Sequence, residues 1–396
     1  ILLFILMVGA AFAILDKTGI LQILISGIVR RFGQKKYRLL LIITLVYMLM
    51  GAVFGMLEEI ILTIPIILAL SYSLGWDALV GLGMSILAVN MGFTAAITNP
   101  FTIGIAQRIA GLPTFSGVWL RIPFFIIIYV VLAIFLTRHA RRIDINPQAS
   151  PVYQDEIELR KKYSSSHFTA ADDQTPAARR AVRWLQGMLI LILAVLFSGP
   201  FVPAISDYAL PIVGILFFIT GLGAGLLSGR GRRLVWQGAK EGVMGIFPGL
   251  PLVMMAASIK YIADSGGVMD TLLYKTSSVL DGLTPVTGVL LIFGLTLFLE
   301  LFIASSTAKV FLMMPILFPL ADLISITRQT SVSAYCLGDG FTNMAYPTNA
   351  MLLIALSLTV VSYTKWIRWT WPLWLVLLVV SAAFLVLAVS IGYGPF

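Results

Sequence analysis

Cysteine and histidine are almost missing from this 396-residue chain, which holds one cysteine, Cys336, and two histidines, His139 and His167. An intrachain disulfide is therefore excluded, and a Cys/His metal cluster has no ligands to draw on. Charge is scarce too, at 11% of residues. No glycine-rich phosphate loop or nucleotide-binding segment occurs, which argues against an ATP-driven pump, and no catalytic constellation stands out, so the chain does not read as an enzyme. A signal-peptide n-region and an initiator methionine are also lacking, because Ile1 opens inside an apolar run. The expectation is that further N-terminal sequence, including at least one more membrane helix, precedes it.

What is there is apolar: 59% of residues are hydrophobic and the mean hydropathy is +0.98. That composition supplies roughly ten spans of about 20 residues, the signature of a polytopic membrane protein embedded in a lipid bilayer. The formal charge of +9 does not point to nucleic acid, because Lys and Arg gather at the ends of apolar segments, as cytoplasmic loops require. A nucleic-acid partner is therefore not expected.

Along the chain, apolar runs alternate with breaks. The first, 1–15 and 20–32, is interrupted at Asp16-Lys17-Thr18-Gly19 and ends in basic residues. The run 39–72 carries Glu58-Glu59 near its middle, where each carboxylate costs about 2.5–3.5 kcal/mol at a helix centre. A re-entrant hairpin with the acids at its tip fits better than a plain span. Residues 76–110 break at Thr98-Asn99-Pro100, and 116–137 form an ordinary helix. From Arg138 to Arg183 the chain turns polar and holds 15 of its 45 charged residues, a cytoplasmic linker between two halves. The second half runs through helices near 184–203 and 208–228, an amphipathic interfacial segment of about 234–246, and a stretch 250–280 interrupted at Asp264-Ser265-Gly266-Gly267. An apolar run 286–323 with Ser305-Ser306-Thr307 at its middle, a broken helix 331–362 and a last helix 370–391 complete it.

The halves repeat. Gly92-Phe93-Thr94 followed by Thr98-Asn99-Pro100 returns as Gly340-Phe341-Thr342 followed by Pro347-Thr348-Asn349, and the glycines are 248 residues apart. Asp16 and Asp264 share that spacing, and Pro65 and Pro315 are 250 apart. With the linker inside, 20 of the 27 Lys and Arg fall on the cytoplasmic side, and the two copies then open from opposite faces. The fold expected is an all-α polytopic membrane protein of two inverted repeats, each with a re-entrant helical hairpin and a broken transmembrane helix. The repeats span 1–137 and 184–396, the linker 138–183 joins them, and the C-terminus lies outside.

Unwound backbone at membrane depth is tolerated where it lines a site, and half-helix ends there supply dipoles for charged solutes. The candidate substrate-binding residues are therefore Asn90, Thr94, Thr98, Asn99 and Thr102 at the first break and Asp339, Thr342, Asn343, Thr348 and Asn349 at the second. At the hairpin tips they are Glu58 and Glu59 in one half and Ser305, Ser306, Thr307 and Lys309 in the other. Asn and Thr at such positions also cap or glue helices. An intramembrane acid such as Glu58 or Glu59 binds a cation or caps the following helix. Lys309 either complements a substrate carboxylate or pairs with Asp339 or Glu300.

The run from Gly92 to Gln107, GFTAAITNPFTIGIAQ, with Ala110-Gly111-Leu112-Pro113 and the segment Asp339 to Asn349, resembles the signature of YfcC-like membrane proteins. These are related to DcuC-type anaerobic carriers of four-carbon dicarboxylates and, more remotely, to the ion transporter superfamily. The resemblance implies secondary transport, a homodimer, an elevator motion and residence in the bacterial cytoplasmic (inner) membrane. YfcC-like proteins carry the label of basic amino-acid antiporters, while other relatives carry dicarboxylates. Superfamily members with sodium sites have a serine-asparagine-threonine motif at the hairpin tips. Ser305-Ser306-Thr307 matches it imperfectly and Glu58-Glu59 replaces it.

The function expected is a secondary active transporter of a small charged metabolite, with basic amino-acid antiport favoured and a sodium- or proton-coupled dicarboxylate carrier as the alternative. No cofactor is expected beyond a coupling Na⁺ or H⁺.

Overall fold

The computed structural model describes residues 2–21, 23, 24, 27, 35–57, 59–113, 115–164, 175–198, 209–246, 266, 284–303 and 305–394. The stretch 250–280, Glu58 and His167 lie outside the described residues, apart from Gly266 in a turn. Among the described residues every regular element is helical, and four helices are long and apolar enough to cross a membrane: Lys36–Phe54, Ala78–Ala95, Val118–Ile145 and Tyr363–Ser390.

Helix α1 (Leu2–Lys17) is apolar up to Leu15 and stops at Thr18 and Gly19, the latter with φ +72°. The interruption expected at Asp16–Gly19 is thus the end of a helix. Helix α2 (Lys36–Leu49) continues through a π-helical turn, Met50–Phe54, to a left-handed Gly55. A 3₁₀ turn, Glu59–Thr63, then leads into α3 (Ile64–Ser73). Pro65 sits in its first turn, where a missing N–H breaks no helical bond.

Helix α4 spans Ala78–Ala95 with a π-helical segment, Gly83–Leu87, inside it. A break at Ala96–Asn99 separates it from α5 (Pro100–Gly104 and Ile105–Ile109). Helices α6 (Val118–Ile145), α7 (Ile157–Ser164), α8 (Pro176–Ser198), α9 (Ala209–Leu227) and α10 (Arg232–Ile246) follow. The chain ends with α11 (Pro285–Glu300), α12 (Ser306–Leu323), α13 (Arg328–Thr342), α14 (Ala350–Ser357) and α15 (Tyr363–Ser390).

Burial sorts these helices by role. Every residue of α4 and every residue from Gln329 to Thr342 of α13 is buried, so the two broken helices form the centre. By contrast α6 exposes Ile122, Ile126, Ile127, Val130 and Ile134, and α15 exposes Trp371, Leu375, Val376 and Val379, apolar faces suited to lipid. The amphipathic α10 lays Val235 and Ala239 on Ala10 and Ile14 of α1 and leaves Trp236 and Met244 exposed.

Helix α6 runs eight residues beyond the expected end at 137. Its basic extension stays helical because it is held from the side: Lys36 and Tyr37 bond Asp144, and His139 bonds Asp77. The first part of the linker is held as well, since Ser150 and Glu156 bond the start of α4 and Lys365 pairs with Asp155.

Candidate binding site at two helix breaks

The two breaks are built alike. Helix α4 ends when Ala96 takes a left-handed conformation, φ 44°. The chain then straightens, and Thr98 bonds back to the end of α2, its N–H to the Ala52 carbonyl at 3.0 Å and its hydroxyl to the Val53 carbonyl at 3.2 Å. Asn99 starts the next helix by accepting the Phe101 N–H at 2.9 Å. In the second half α13 ends at Thr342, a turn follows, and Asn349 accepts the Met351 N–H at 2.9 Å to start α14. Its amide also donates to Asn343 across the break at 2.7 Å. A side-chain carbonyl accepting an N–H beside a proline or turn is the N-cap role that asparagine fills well.

Glycine brings the breaks together. Gly340 of α13 faces Thr94 of α4 at backbone contact, where a Cβ would lie 2.5 Å from the Thr94 Cα. Gly92, two residues earlier on α4, packs as closely on the Met48 carbonyl of α2. The crossing therefore stacks the candidate residues of both halves at the centre of the molecule.

Several polar atoms there have no partner among the described residues: both amide atoms of Asn90, Nδ2 of Asn99 and of Asn343, and the hydroxyls of Thr102 and Thr348. Buried polar groups are nearly always hydrogen-bonded, and each unmatched one costs about 1–3 kcal/mol. Their concentration at the helix breaks is what a site awaiting a polar ligand looks like. The hydroxyls of Thr94 and Thr342, in contrast, bond carbonyls of their own helices, Asn90 and Gly338, and serve the helix ends.

The hairpin tips differ from one another. Glu58 and the side chains of Glu59 and Thr307 lie outside the described residues. Ser305 is exposed, and Ser306 begins α12 with its carbonyl accepting the Tyr335 hydroxyl at 2.7 Å. Lys309 is fully buried between Glu300 and Asp339, 2.8 Å from Asp339 Oδ1, and donates to the Ile303 carbonyl at 3.2 Å. It pairs with both carboxylates that the sequence offered it.

Glu300, which the sequence offered as an ion-pair partner of Lys309, closes the charged triad. One feature escaped the sequence reading. Arg121, buried in α6, donates to the carbonyls of Ile97 (3.0 and 3.3 Å), Ser116 (2.8 Å) and Phe115 (3.2 Å) and to the Tyr393 hydroxyl (3.4 Å). It thereby ties the first break to α6, with the negative end of α4 facing a cation. A lone arginine inside an apolar run was the available signal.

A second polar cluster anchors the foot of α4. Asp77 caps the helix through the Val80 N–H at 2.9 Å and accepts bonds from His139 at 2.9 Å and Ser150 at 2.7 Å. Burial alone would push its carboxyl up, but His139, Ser150 and Val80 together hold it below the ordinary range. Glu156 accepts the Ala78 N–H at 3.0 Å and pairs with Arg160, yet burial and the charge of Asp77 push it up to about 7.

Comparison with known proteins bears on this arrangement. The family model described as DcuC, C4-dicarboxylate anaerobic carrier, matches residues 1–390. The Escherichia coli (strain K12) protein named "Putative basic amino acid antiporter YfcC" is 29% identical over 407 residues, covering 99% of this chain and 78% of that protein. An uncharacterized protein of Haemophilus influenzae is 26% identical over 396 residues, covering 99% and 75%. Among solved structures, the YdaH transporter of Alcanivorax borkumensis superposes with a TM-score of 0.48 at 20% identity, covering 99% of this chain and 85% of that one. The Neisseria gonorrhoeae protein MtrF superposes with a TM-score of 0.46 at 19% identity, covering 98% and 81%.

Proposed function

The chain belongs to the DcuC family of C4-dicarboxylate anaerobic carriers, multi-pass membrane transporters of small molecules rather than enzymes, and on that footing we propose that it is a secondary active antiporter of a basic amino acid. The observation that carries the proposal is the crossing of two broken helices at Gly340 and Thr94, lined by buried side chains without partners. Substrate amino and carboxyl groups would satisfy Asn90, Asn99, Thr102, Asn343 and Thr348.

Alternating access follows from two inverted repeats working in opposition, and the order of helices supports that reading. The pair α2 and α3 is followed by the broken α4–α5 and the long α6, as α11 and α12 are followed by α13–α14 and α15. Both long helices have 28 residues and carry a proline inside, Pro123 and Pro372. The distribution of Lys and Arg supports opposite orientations. The homodimer, the elevator motion and the inner-membrane topology with the C-terminus outside belong to the same proposal.

A cationic substrate is favoured by the relative named for basic amino acids, by Glu58-Glu59 at the first tip, and by the excess of carboxylates at the second. Lys309 is committed to Glu300 and Asp339, which weakens its role as a counter-charge for a substrate carboxylate. The dicarboxylate reading draws on the family's description. Exchange in proteoliposomes separates the two. Arginine, lysine or ornithine inside is expected to drive uptake of labelled arginine, and exchange confined to succinate or fumarate would show the amino-acid reading to be wrong.

A further inference from the structure

Three ionisable side chains from three helices meet where α11 ends and α12 begins. Glu300 is 1% exposed, and Lys309 and Asp339 are 0% exposed. Lys309 Nζ pairs with Glu300 Oε2 and with Asp339 Oδ1 at 2.8 Å. Of the remaining oxygens, Glu300 Oε1 meets no donor among the described residues, and Asp339 has only the neutral Tyr335 hydroxyl within reach. Two carboxylates around one ammonium leave a charge of −1 in a dry place, and a buried charge demands a partner.

Among the described residues the surroundings do not provide one. Tyr335 and Cys336, one turn before Asp339 on α13, carry no charge to offset it: the Tyr335 hydroxyl donates to the Ser306 carbonyl at 2.7 Å and lies within hydrogen-bonding reach of Asp339. Buried α4 presents no charged side chain here, and Arg108 on α5 is exposed. On α12, Asp322 pairs with Arg328, while on α15 Lys365 pairs with Asp155. Arg121 on α6 directs its donors to backbone carbonyls and the Tyr393 hydroxyl. A metal ion in the triad would need the space and the Ile303 carbonyl that the Lys309 ammonium already takes. A proton needs neither.

At one register of the repeat the other half carries apolar residues where this half carries the triad. At the repeat spacing of 248, the positions of Glu300, Lys309 and Asp339 correspond to Ala52, Ile61 and Met91, all buried and apolar. At that spacing an apolar trio takes the matching positions, and replacements of buried ion clusters by apolar residues are commonly neutral or stabilising. What the charged trio adds is chemistry.

We propose that Glu300, Lys309 and Asp339 form a proton site, in which the two carboxylates share one exchangeable proton beside the Lys309 ammonium, and that this proton is the coupling ion of the carrier. The coupling half rests on the transport function proposed above, whereas the proton site stands on the triad alone. Asp339 lies one turn before the break at Thr342 and Asn343, so loss of the proton changes the charge next to the binding residues. Substrate exchange and protonation are thereby linked.

Two measurements test this on the full chain in proteoliposomes. Infrared difference spectra between wild type and Glu300→Gln or Asp339→Asn at neutral pH should show loss of the carbonyl-stretch band of one protonated carboxyl, since either change leaves a neutral Lys309–carboxylate pair. Lys309→Met should raise that band instead. The triple variant Glu300→Ala, Lys309→Ile, Asp339→Met copies the first half, and it should fold with an unchanged or higher Tm and lack the band. A wild-type protein without the band, or a band untouched in both carboxamide variants, overturns the site. With an internal pH dye, arginine entry should move protons in wild type but not in the triple variant. Arginine flux without proton movement in wild type overturns the coupling. Absence of arginine flux with the band pattern intact contradicts the function proposed above and supports the proton site.

Discussion

Gly340 lies so close to Thr94 that a Cβ on it would come within 2.5 Å of the Thr94 Cα and 2.8 Å of its hydroxyl oxygen. Backbone cannot yield there as a flexible side chain would. Gly340→Ala is expected to force α4 and α13 apart, lowering stability by about 1–3 kcal/mol and reducing exchange by roughly ten-fold or more, as a loss of 1.4 kcal/mol in a productive state implies. Gly294→Ala on α11, where no atom lies within 4 Å of the new Cβ, is the control and should keep both. Thermal unfolding and arginine exchange on the same preparations check the pair.

Asn349 holds the second break by two bonds, one to the Met351 N–H and one to Asn343. Asn349→Ala should cost about 0.5–2 kcal/mol as a lost N-cap and release the turn, with exchange falling in step. Asn349→Asp keeps the cap and lets the Asn343 amide turn to donate, so it should retain most of the stability. Equal Tm values for wild type and Asn349→Ala would count against the cap.

Arg121 is expected to be irreplaceable by lysine, because an ammonium cannot reach Ile97, Phe115 and Ser116 together from one position. Arg121→Lys should destabilise the protein by roughly 1–3 kcal/mol, through carbonyls left without donors, and slow exchange. Hydrogen exchange at residues 96–99 should rise in this variant while that in α15 stays unchanged.

The foot of α4 should respond to pH. Burial, then Asp77, raises the Glu156 carboxyl to about 7, so the docked state binds the proton more tightly than the undocked chain does. The stabilising contribution is complete below the ordinary glutamate range and is lost as pH rises through about 7. Asp77, held low, acts in the opposite sense: its stabilisation is present above the ordinary aspartate range and is lost as the solution turns more acidic. Proteolysis within 146–164 should therefore accelerate between pH 5 and 8, and Glu156→Gln should flatten that Glu156-dependent part.

Much of this was legible in the sequence, for identifiable reasons. Proline and asparagine at Thr98-Asn99-Pro100 and Pro347-Thr348-Asn349 announced both breaks, because each residue type acts through its own local backbone chemistry. The crossing at Gly340 and Thr94 was not legible, since glycine marks a close approach without naming the partner. Arg121 stayed hidden because basic residues were weighed as topological markers at segment ends, and this one sits inside an apolar helix. Docking of Asp144, Ser150 and Glu156 was missed for a related reason: a charge-rich run usually faces water, and only tertiary structure brings Lys36, His139 and the α4 N-terminus to it. The π-helical segments Met50–Phe54 and Gly83–Leu87 left no pattern that separates them from α-helix.

The central claim, that unpartnered side chains at the breaks await a substrate, is tested most directly at Asn90, whose amide is fully buried with no partner among the described residues. Asn90→Leu keeps the approximate shape and removes an unmet polar group, a change that is neutral or stabilising for the fold. Thermal shift with arginine over a concentration series, on wild type and variant, is the measurement. The expected result is a Tm without ligand equal to or above wild type, together with loss of the arginine-induced rise that ligand binding to the folded state produces in wild type. An arginine-induced rise of the same size in Asn90→Leu, or a large fall in its Tm without ligand, would contradict the claim.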